Sequence, residues 1–454
     1  MAAAARPPTR TNVTDVRTPS ALAALRRDLL DIVRAGLDCA HAGRLVRRAL
    51  AGQESVSDRV RAVRLLAVGK AAAPMAVAFA EGTRVRLREG VVIAPARRDD
   101  VPAGFEQWPG GHPVPDLRSE AAARRALDVA RAVRADDECL VVLLSGGASA
   151  LMALPASDLD LAAKAEVTAL LLKAGVTIER LNCVRKHLSA IKGGRLAAAA
   201  RASVTLAISD VVGPPPDDPS TIGSGPTVAD PTTFADALKV LDLAGVRAQC
   251  PRSVLTWLER GRSAEVEETV KPNDPRLERS EYRLIGNRLD AVAGAREAAG
   301  ARGYTALTID DPVVGEARRA GARLMDVAAR WVEDVRRPLC LLAAGETTVT
   351  VKGAGKGGRN QELALGAAMA GLPGATFAMA SVGTDGVDGP TDAAGALVDS
   401  TTLARAAQAG LGDPARFLGA NDAYHFLDPL GDLVRTGPTD TNVGDLQVIL
   451  VRSP

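Results

Sequence analysis

Aromatic residues are scarce in this chain, at 3% of 454 residues. Small and aliphatic side chains must therefore close the core, and the abundance of alanine and glycine points to tight packing of helices on sheets. Cysteine is sparse and dispersed as well. Cys39, Cys139, Cys183, Cys250 and Cys340 stand singly with no CxxC pair. That odd set argues against a disulfide framework and against zinc, and for reduced thiols in a cytoplasmic protein. The four histidines are equally scattered, so no metal cluster is in view. Excess charge is missing too: 56 Lys and Arg face 54 Asp and Glu, a net +2. With no concentrated basic face, nucleic acid is not an expected partner. No run approaches the roughly 18 to 20 apolar residues of a membrane helix. Residues 1–20 lack the apolar segment of a signal peptide, so a disordered tail is expected there and no membrane partner.

What is present is alternation. The length predicts two domains, since single cores rarely grow past about 250–300 residues. After a helical stretch from Ala21 to about Ala51, a short apolar strand, a Gly-containing turn and a helix recur. "RLLAVGKAAAP", "ECLVVLLSGGASALM" and "SVTLAISDVVG" each deliver a polar residue just past an apolar run. The charged, proline-punctuated stretch 259–282 reads as a linker, which divides the chain into an α/β unit over 21–275 and a second over 280–454. Beyond it the alternation resumes with "PLCLLAAGE" and "ATFAMASVGTDG". Strands alternating with helices predict a mostly parallel, Rossmann-like sheet flanked by helices in each unit.

In such sheets ligands bind beyond the carboxyl ends of strands. Lys70, Ser145, Asp210, Glu346 and Asp385 all fall there, most beside glycines. "SGGAS", with Ser145, Gly146, Gly147 and Ser149, and "KGGRN", with Gly357, Gly358 and Arg359, have the form of anion-binding turns at helix starts. Cations, carboxylates and such turns together suit phosphoryl transfer, which needs charge against the phosphates and carboxylates for Mg²⁺. Two familiar nucleotide motifs do not account for them. A Walker A loop is absent, because Lys356 is followed by Gly357 and Thr350 stands at the first glycine position. Gly353, Gly355 and Gly358 formally satisfy GxGxxG, but no acidic residue lies between Glu362 and Asp385 to hold a ribose.

The strings "GKAA", "GGHPVPD", "LLSGGASALMALP", "RKHLSAIKGGRLA", "SDVVGPPPDDPSTIGSGPT", "GETTVTVKGAGKGGRNQELAL", "SVGTDGVDGPTDAAGALVD" and "NDAYHFLDPLGDLVRTGPTDTNVGDLQVIL" resemble, in order and from about residue 22 to 452, the glycerate 2-kinases with a C-terminal MOFRL domain. That family has also been labelled as hydroxypyruvate reductases. The resemblance implies ATP-dependent phosphorylation of D-glycerate to 2-phosphoglycerate with Mg²⁺, in a cleft between the two units. By position it implies functional roles for Lys70, Asp210, Glu346, Arg359, Asp385 and Asn442. Asp210, Glu346 and Asp385 stand as metal ligands or, one of them, as the base, and Lys70, Arg359, Asp210 and Asp385 as the catalytic set. Lys192, in a basic stretch with Arg185, Lys186, His187 and Arg195, is expected to contact substrate or phosphate. His112 reads as a loop-ordering histidine. The partners expected are small molecules, with a homodimer left open. A reductase using a nicotinamide cofactor and a non-enzymatic small-molecule-binding protein stand as the competing readings.

Overall fold

The computed structural model describes residues 20–52, 60–156, 159–334 and 338–452, so the tail expected over 1–20 lies, except for Ser20, outside the described residues. The first sheet holds β1 (Ala62–Val68), β2 (Arg86–Ala94), β3 (Glu106–Pro109), β4 (Glu138–Leu144), β5 (Ser203–Ile208) and β6 (Ser280–Gly286). Its order is β3-β2-β1-β4-β5-β6 and every pairing is parallel. The apolar run 139–144 is buried on both faces, as a sheet covered by helices on each side requires. The strand order reverses between β1 and β4, and the crevice at such a reversal is where open parallel sheets take ligands.

The second sheet holds β7 (Thr305–Thr308), β8 (Val313–Glu316), β9 (Leu339–Thr348), β10 (Thr376–Gly383), β11 (Gly395–Asp399), β12 (Leu433–Val434) and β13 (Asp445–Arg452). The order is β12-β11-β10-β13-β9-β7, with β8 also paired to β9. The α/β class is as expected, but this sheet is mixed rather than mostly parallel. Only β7 and β8 run parallel to β9, while β10–β11, β10–β13, β11–β12 and β9–β13 are antiparallel. The reason lies in the signal. A strand buried on both faces, such as the "LQVIL" of β13, reads as the same apolar run whichever way its neighbours point.

The expected division at 275–280 also moves. β6 hydrogen-bonds to β5, so residues 280–286 complete the first sheet instead of opening the second. The charged stretch before it ends the helix Arg252–Arg262 and forms an ordered surface loop in which Arg276 pairs with Asp274 and Glu267. At the other end, the helix Ser20–Cys39, expected with the first unit, packs on the helix Arg288–Ala301 and on β10 and β13 of the second. Its apolar face, including Leu25, Leu29 and Ile32, is fully buried, and its Arg26 pairs with Asp399 and Asp432. One continuous apolar cluster runs from these residues to Val63 and Leu65 of β1 and to Ala378 and Val448 of the second sheet. Among the described residues no helix is long and apolar enough to cross a membrane.

Candidate active site

The turns after β1 and β4 meet at the reversal of strand order. Gly69 takes a φ of +128°, which L side chains rarely adopt, and its bend presents Lys70 to the crevice. The Lys70 amide donates to the Gly146 carbonyl at 2.9 Å, and the Ser145 amide to the Val68 carbonyl at 3.0 Å, so each turn fixes the other. Ser145 is fully buried, and its hydroxyl accepts from the Ala71 amide at 3.2 Å and donates to Val68 O at 3.4 Å. It therefore holds the Lys70 turn in place and does not face a ligand, contrary to the expectation for this side chain. Gly146 has a different reason to be glycine. A Cβ there would collide with the Asp210 carboxylate and the Asn442 amide, which lie directly over the turn.

Residues from both sheets converge above that point. Lys70 Nζ lies 2.9 Å from Asp385 Oδ2, and Asn442 Nδ2 donates to Asp210 Oδ2 at 2.7 Å. Asp385 follows β10 and Asp210 follows β5, so each contact ties one sheet's edge to the other. Arg359 opens the helix Arg359–Ala370 and forks onto Asp445, Nε to Oδ2 at 2.7 Å and Nη2 to Oδ1 at 2.8 Å. Its Nη1 lies 3.0 Å from Glu346 Oε1. The three expected carboxylates, both cations and Asn442 therefore belong to one constellation.

The electrostatics follow from crowding. Glu346 keeps 40% of its side-chain surface, facing a cavity, yet the protein packed around it pushes its carboxyl up to about 7. Desolvation is the largest cause, the Arg359 charge opposes it, and Asp210 and Asp445 add to it. Burial likewise raises Asp210, against the pull of Lys70 and the Asn442 hydrogen bond. Burial and the neighbouring Lys70 charge lower His112, and the Asp385 charge opposes them.

The glycine-rich segment after β9 borders a cavity of about 590 Å³ that Glu346, Thr348, Gly357, Gly358 and Arg359 help to line. The helix start expected to hold an anion is already capped: Asn360 N and Gln361 N donate to the Asp388 carboxylate at 3.0 and 2.9 Å. Lys352 N and Gly353 N donate to Asn421 Oδ1, and Gly355 N to Ala420 O. These amides are not free to cradle a pyrophosphate, which is why the formal GxGxxG match carries no dinucleotide site. Gly357 and Gly358 line the cavity, and Gly358 is packed so closely on Asp388 that a Cβ there would collide with its carboxylate. In the first unit, Lys192 is buried and its Nζ donates to Ser149 O, Ser149 Oγ and Gly223 O, each at 3.1 Å. Lys192 and Ser149 line a second, smaller cavity with His112 and Gly147.

Comparison with known proteins places the chain in a family. A domain of unknown function, DUF4147, matches residues 28–259, and the MOFRL family matches residues 339–445. The glycerate 2-kinase of Pyrococcus horikoshii is 38% identical over 396 residues, 86% of this chain and 88% of that one. The D-glycerate 2-kinase of Thermotoga maritima is 39% identical over 435 residues, 94% of this chain and 98% of that one. A crystal structure of glycerate kinase from Thermotoga maritima superposes with a TM-score of 0.81 at 38% identity, covering 95% of this chain and 100% of the other. The chain belongs to the glycerate kinase family.

Two residues of this cluster were not anticipated. Asp445 is fully desolvated and orients Arg359, and Asp388 caps the helix that carries it. Asp445 begins β13, whose register sets it opposite Gly345 of β9 and Gly383 of β10. An antiparallel strand brings its amino end to the edge where its neighbours end, so a search restricted to carboxyl ends passes it by. Among the described residues no three His, Cys, Asp or Glu form a ready metal cage. Mg²⁺ does not need one, because it commonly takes one or two carboxylates together with substrate phosphates and water. Glu346 fits that demand: the like charges of Asp210 and Asp445 disfavour its ionised form, and a cation would relieve them. Asp385 is engaged with Lys70, as Glu346 is with Arg359.

Proposed function

We propose that the protein transfers the γ-phosphoryl group of ATP to the 2-hydroxyl of D-glycerate, giving 2-phosphoglycerate and ADP. The observation that carries this reading is the junction of Lys70 with Asp385 and of Asp210 with Asn442, at the reversal of strand order in the first sheet. Phosphoryl transfer asks the protein mainly for positioned charge, and the cluster supplies it. The names of the relatives support glycerate as acceptor and the 2-position as the site of transfer.

In this reading the 590 Å³ cavity along the glycine-rich segment takes the nucleotide, with Arg359 directed at its phosphates. Lys70, kept in place by Asp385, faces the charge that develops on the transferred group. Asp210, oriented by Asn442, accepts the hydroxyl proton as the oxygen–phosphorus bond forms and the bond to the β-phosphate oxygen breaks. Mg²⁺ on the phosphates would be held by Glu346, with Asp210 beside it, and would neutralise phosphate charge there. Use of ATP is consistent with a cytoplasmic protein.

The test is direct. Purified protein with D-glycerate, ATP and Mg²⁺ should release ADP and 2-phosphoglycerate in equal amounts, resolved by phosphorus NMR. Oxidation of NADH with hydroxypyruvate, and no ADP formed, would replace this reading with the reductase.

A further inference from the structure

The smaller cavity, about 300 Å³, opens beside Gly147 and His112 and is closed by the helix Leu161–Lys173. Most of its wall is apolar, including Ala150, Ala153, Ala169 and Leu172. Into this wall are set three cations, Lys164, Arg185 and Lys192, and no carboxylate is among the described residues that line it. Lys192 is satisfied by neutral oxygens. Lys164 is not satisfied at all: it is 5% exposed, and its Nζ is buried without a hydrogen-bond partner among the described residues. Among the described residues Arg185, lowered by burial alone, has no paired carboxylate either.

A buried ammonium without an acceptor is costly, and three cations around one apolar space repel one another. Natural cores rarely keep such an arrangement without something to balance it. The Lys164 ammonium responds as this predicts: burial, helped by the Arg185 and Arg195 charges, pushes it down to about 7. An anion in the cavity would supply both the missing charge and the missing acceptor atoms.

Resting on the kinase reading above, we propose that this cavity is the acceptor subsite, in which Lys164 and Arg185 bind the carboxylate of a short 2-hydroxy acid. The position decides between the two substrates. The cavity begins at Gly147, where a Cβ would lie 3.3 Å from Lys70 Cγ and 3.1 Å from the His112 ring. Its Gly147 wall lies against Lys70 of the first sheet, whereas the larger cavity lies along the segment after β9. An acid anchored by its carboxylate at Lys164 leaves its hydroxyl on the Gly147 side, toward Lys70. The apolar wall then limits what can follow the hydroxyl-bearing carbon.

Lys164→Met and Arg185→Gln test this through the two Michaelis constants and through thermal unfolding with D-glycerate and no ATP. Each variant should raise KM for D-glycerate at least tenfold and leave KM for ATP unchanged. D-glycerate should raise the unfolding temperature of the wild type but not of Lys164→Met, and Lys164→Arg should recover part of the shift. In ligand-free buffer Lys164→Met should unfold no lower than wild type, since an unpartnered charge is removed. If Lys164→Met does not fold, Arg185→Gln and Lys164→Arg carry the same comparison. A kinase whose variants keep the wild-type KM and thermal shift for D-glycerate overturns the proposal. So does inorganic phosphate that stabilises the wild type through Lys164 when D-glycerate does not, which would mark a site for free phosphate. Absence of turnover in the wild type, with D-glycerate still bound through Lys164, would instead reject the kinase reading and leave the subsite standing.

Discussion

Asn442 donates its side-chain amide to the Asp210 carboxylate at 2.7 Å, although 232 positions separate them in the chain. The bond passes directly over Gly146, where only a hydrogen at Cα leaves room for it. A turn of the first unit is thereby shaped to accept a residue of the second. The consequences can be measured.

Gly146→Ala should remove most activity without unfolding the protein. Gly146 is not among the positive-φ glycines, so alanine is tolerated by the backbone, and the damage comes from displacing Asp210 and Asn442. A 1 Å misplacement of a positioning group costs on the order of 100-fold in rate. Turnover and circular dichroism of the variant together check this, and near-normal turnover would remove the Asp210–Asn442 pair from the mechanism.

Lys70→Ala should lower kcat by about 100- to 1,000-fold, the usual effect of deleting one donor aimed at developing charge. Its pair with Asp385 is partly solvated, at 33% and 19% side-chain exposure, so stability should change by no more than about 1 kcal/mol. Kinetics and thermal melting on the same sample separate the two effects. A large loss of stability would recast Lys70 as a structural strut.

Arg359 behaves differently. Its partner Asp445 is fully desolvated, so among the described residues Arg359→Ala leaves this buried carboxylate with only Asn360 Nδ2, at 3.0 Å, as a side-chain donor. Breaking such a pair should cost about 3 kcal/mol, the low end of the range because Arg359 itself is partly exposed. Arg359→Ala is therefore expected to lose both activity and stability. The double variant Arg359→Ala/Asp445→Asn should regain much of the stability and none of the activity. Equal melting temperatures for the single and double variants would contradict this.

The Glu346 carboxyl sits at about 7, well above the 4.5 of an exposed glutamate. A raised folded-state pKa means that its contribution to stability is complete below about pH 4.5 and is lost as the pH rises through about 7. Glu346→Gln should abolish that part of the decline, visible as a shrinking difference between variant and wild-type melts toward acid pH. Activity runs the opposite way, because a carboxylate that holds Mg²⁺ must be ionised. The acid limb of kcat/KM should lie near pH 7 at low Mg²⁺ and move to lower pH as Mg²⁺ is raised. A limb indifferent to Mg²⁺ would exclude Glu346 as its source.

Much of this was legible before any coordinates. Apolar runs that end in Gly-Lys, Ser-Gly-Gly or Ser-Asp mark strands delivering polar groups to one edge, and Lys70, Gly146 and Asp210 are found at that edge. Direction was not legible, because burial on both faces erases the pattern that would reveal it. The mixed second sheet and Asp445 were missed for that single reason. Nor does the local sequence reveal that Asp388 caps the helix at Arg359, since the two segments meet only in space. The residue types at Ser145 and at the capped helix start suit anions, but the Ala71 amide and Val68 carbonyl occupy the Ser145 hydroxyl, and the Asp388 carboxylate occupies the helix-start amides.

The helix Ser20–Cys39 leaves the ribosome long before β10 and β13, on which it rests. Until then the helix Arg288–Ala301 gives it only part of its cover, so a growing or C-terminally shortened chain presents an adhesive apolar stripe to whatever is nearby. Chaperone demand during translation, and aggregation of fragments that stop before β10, should reflect that long wait.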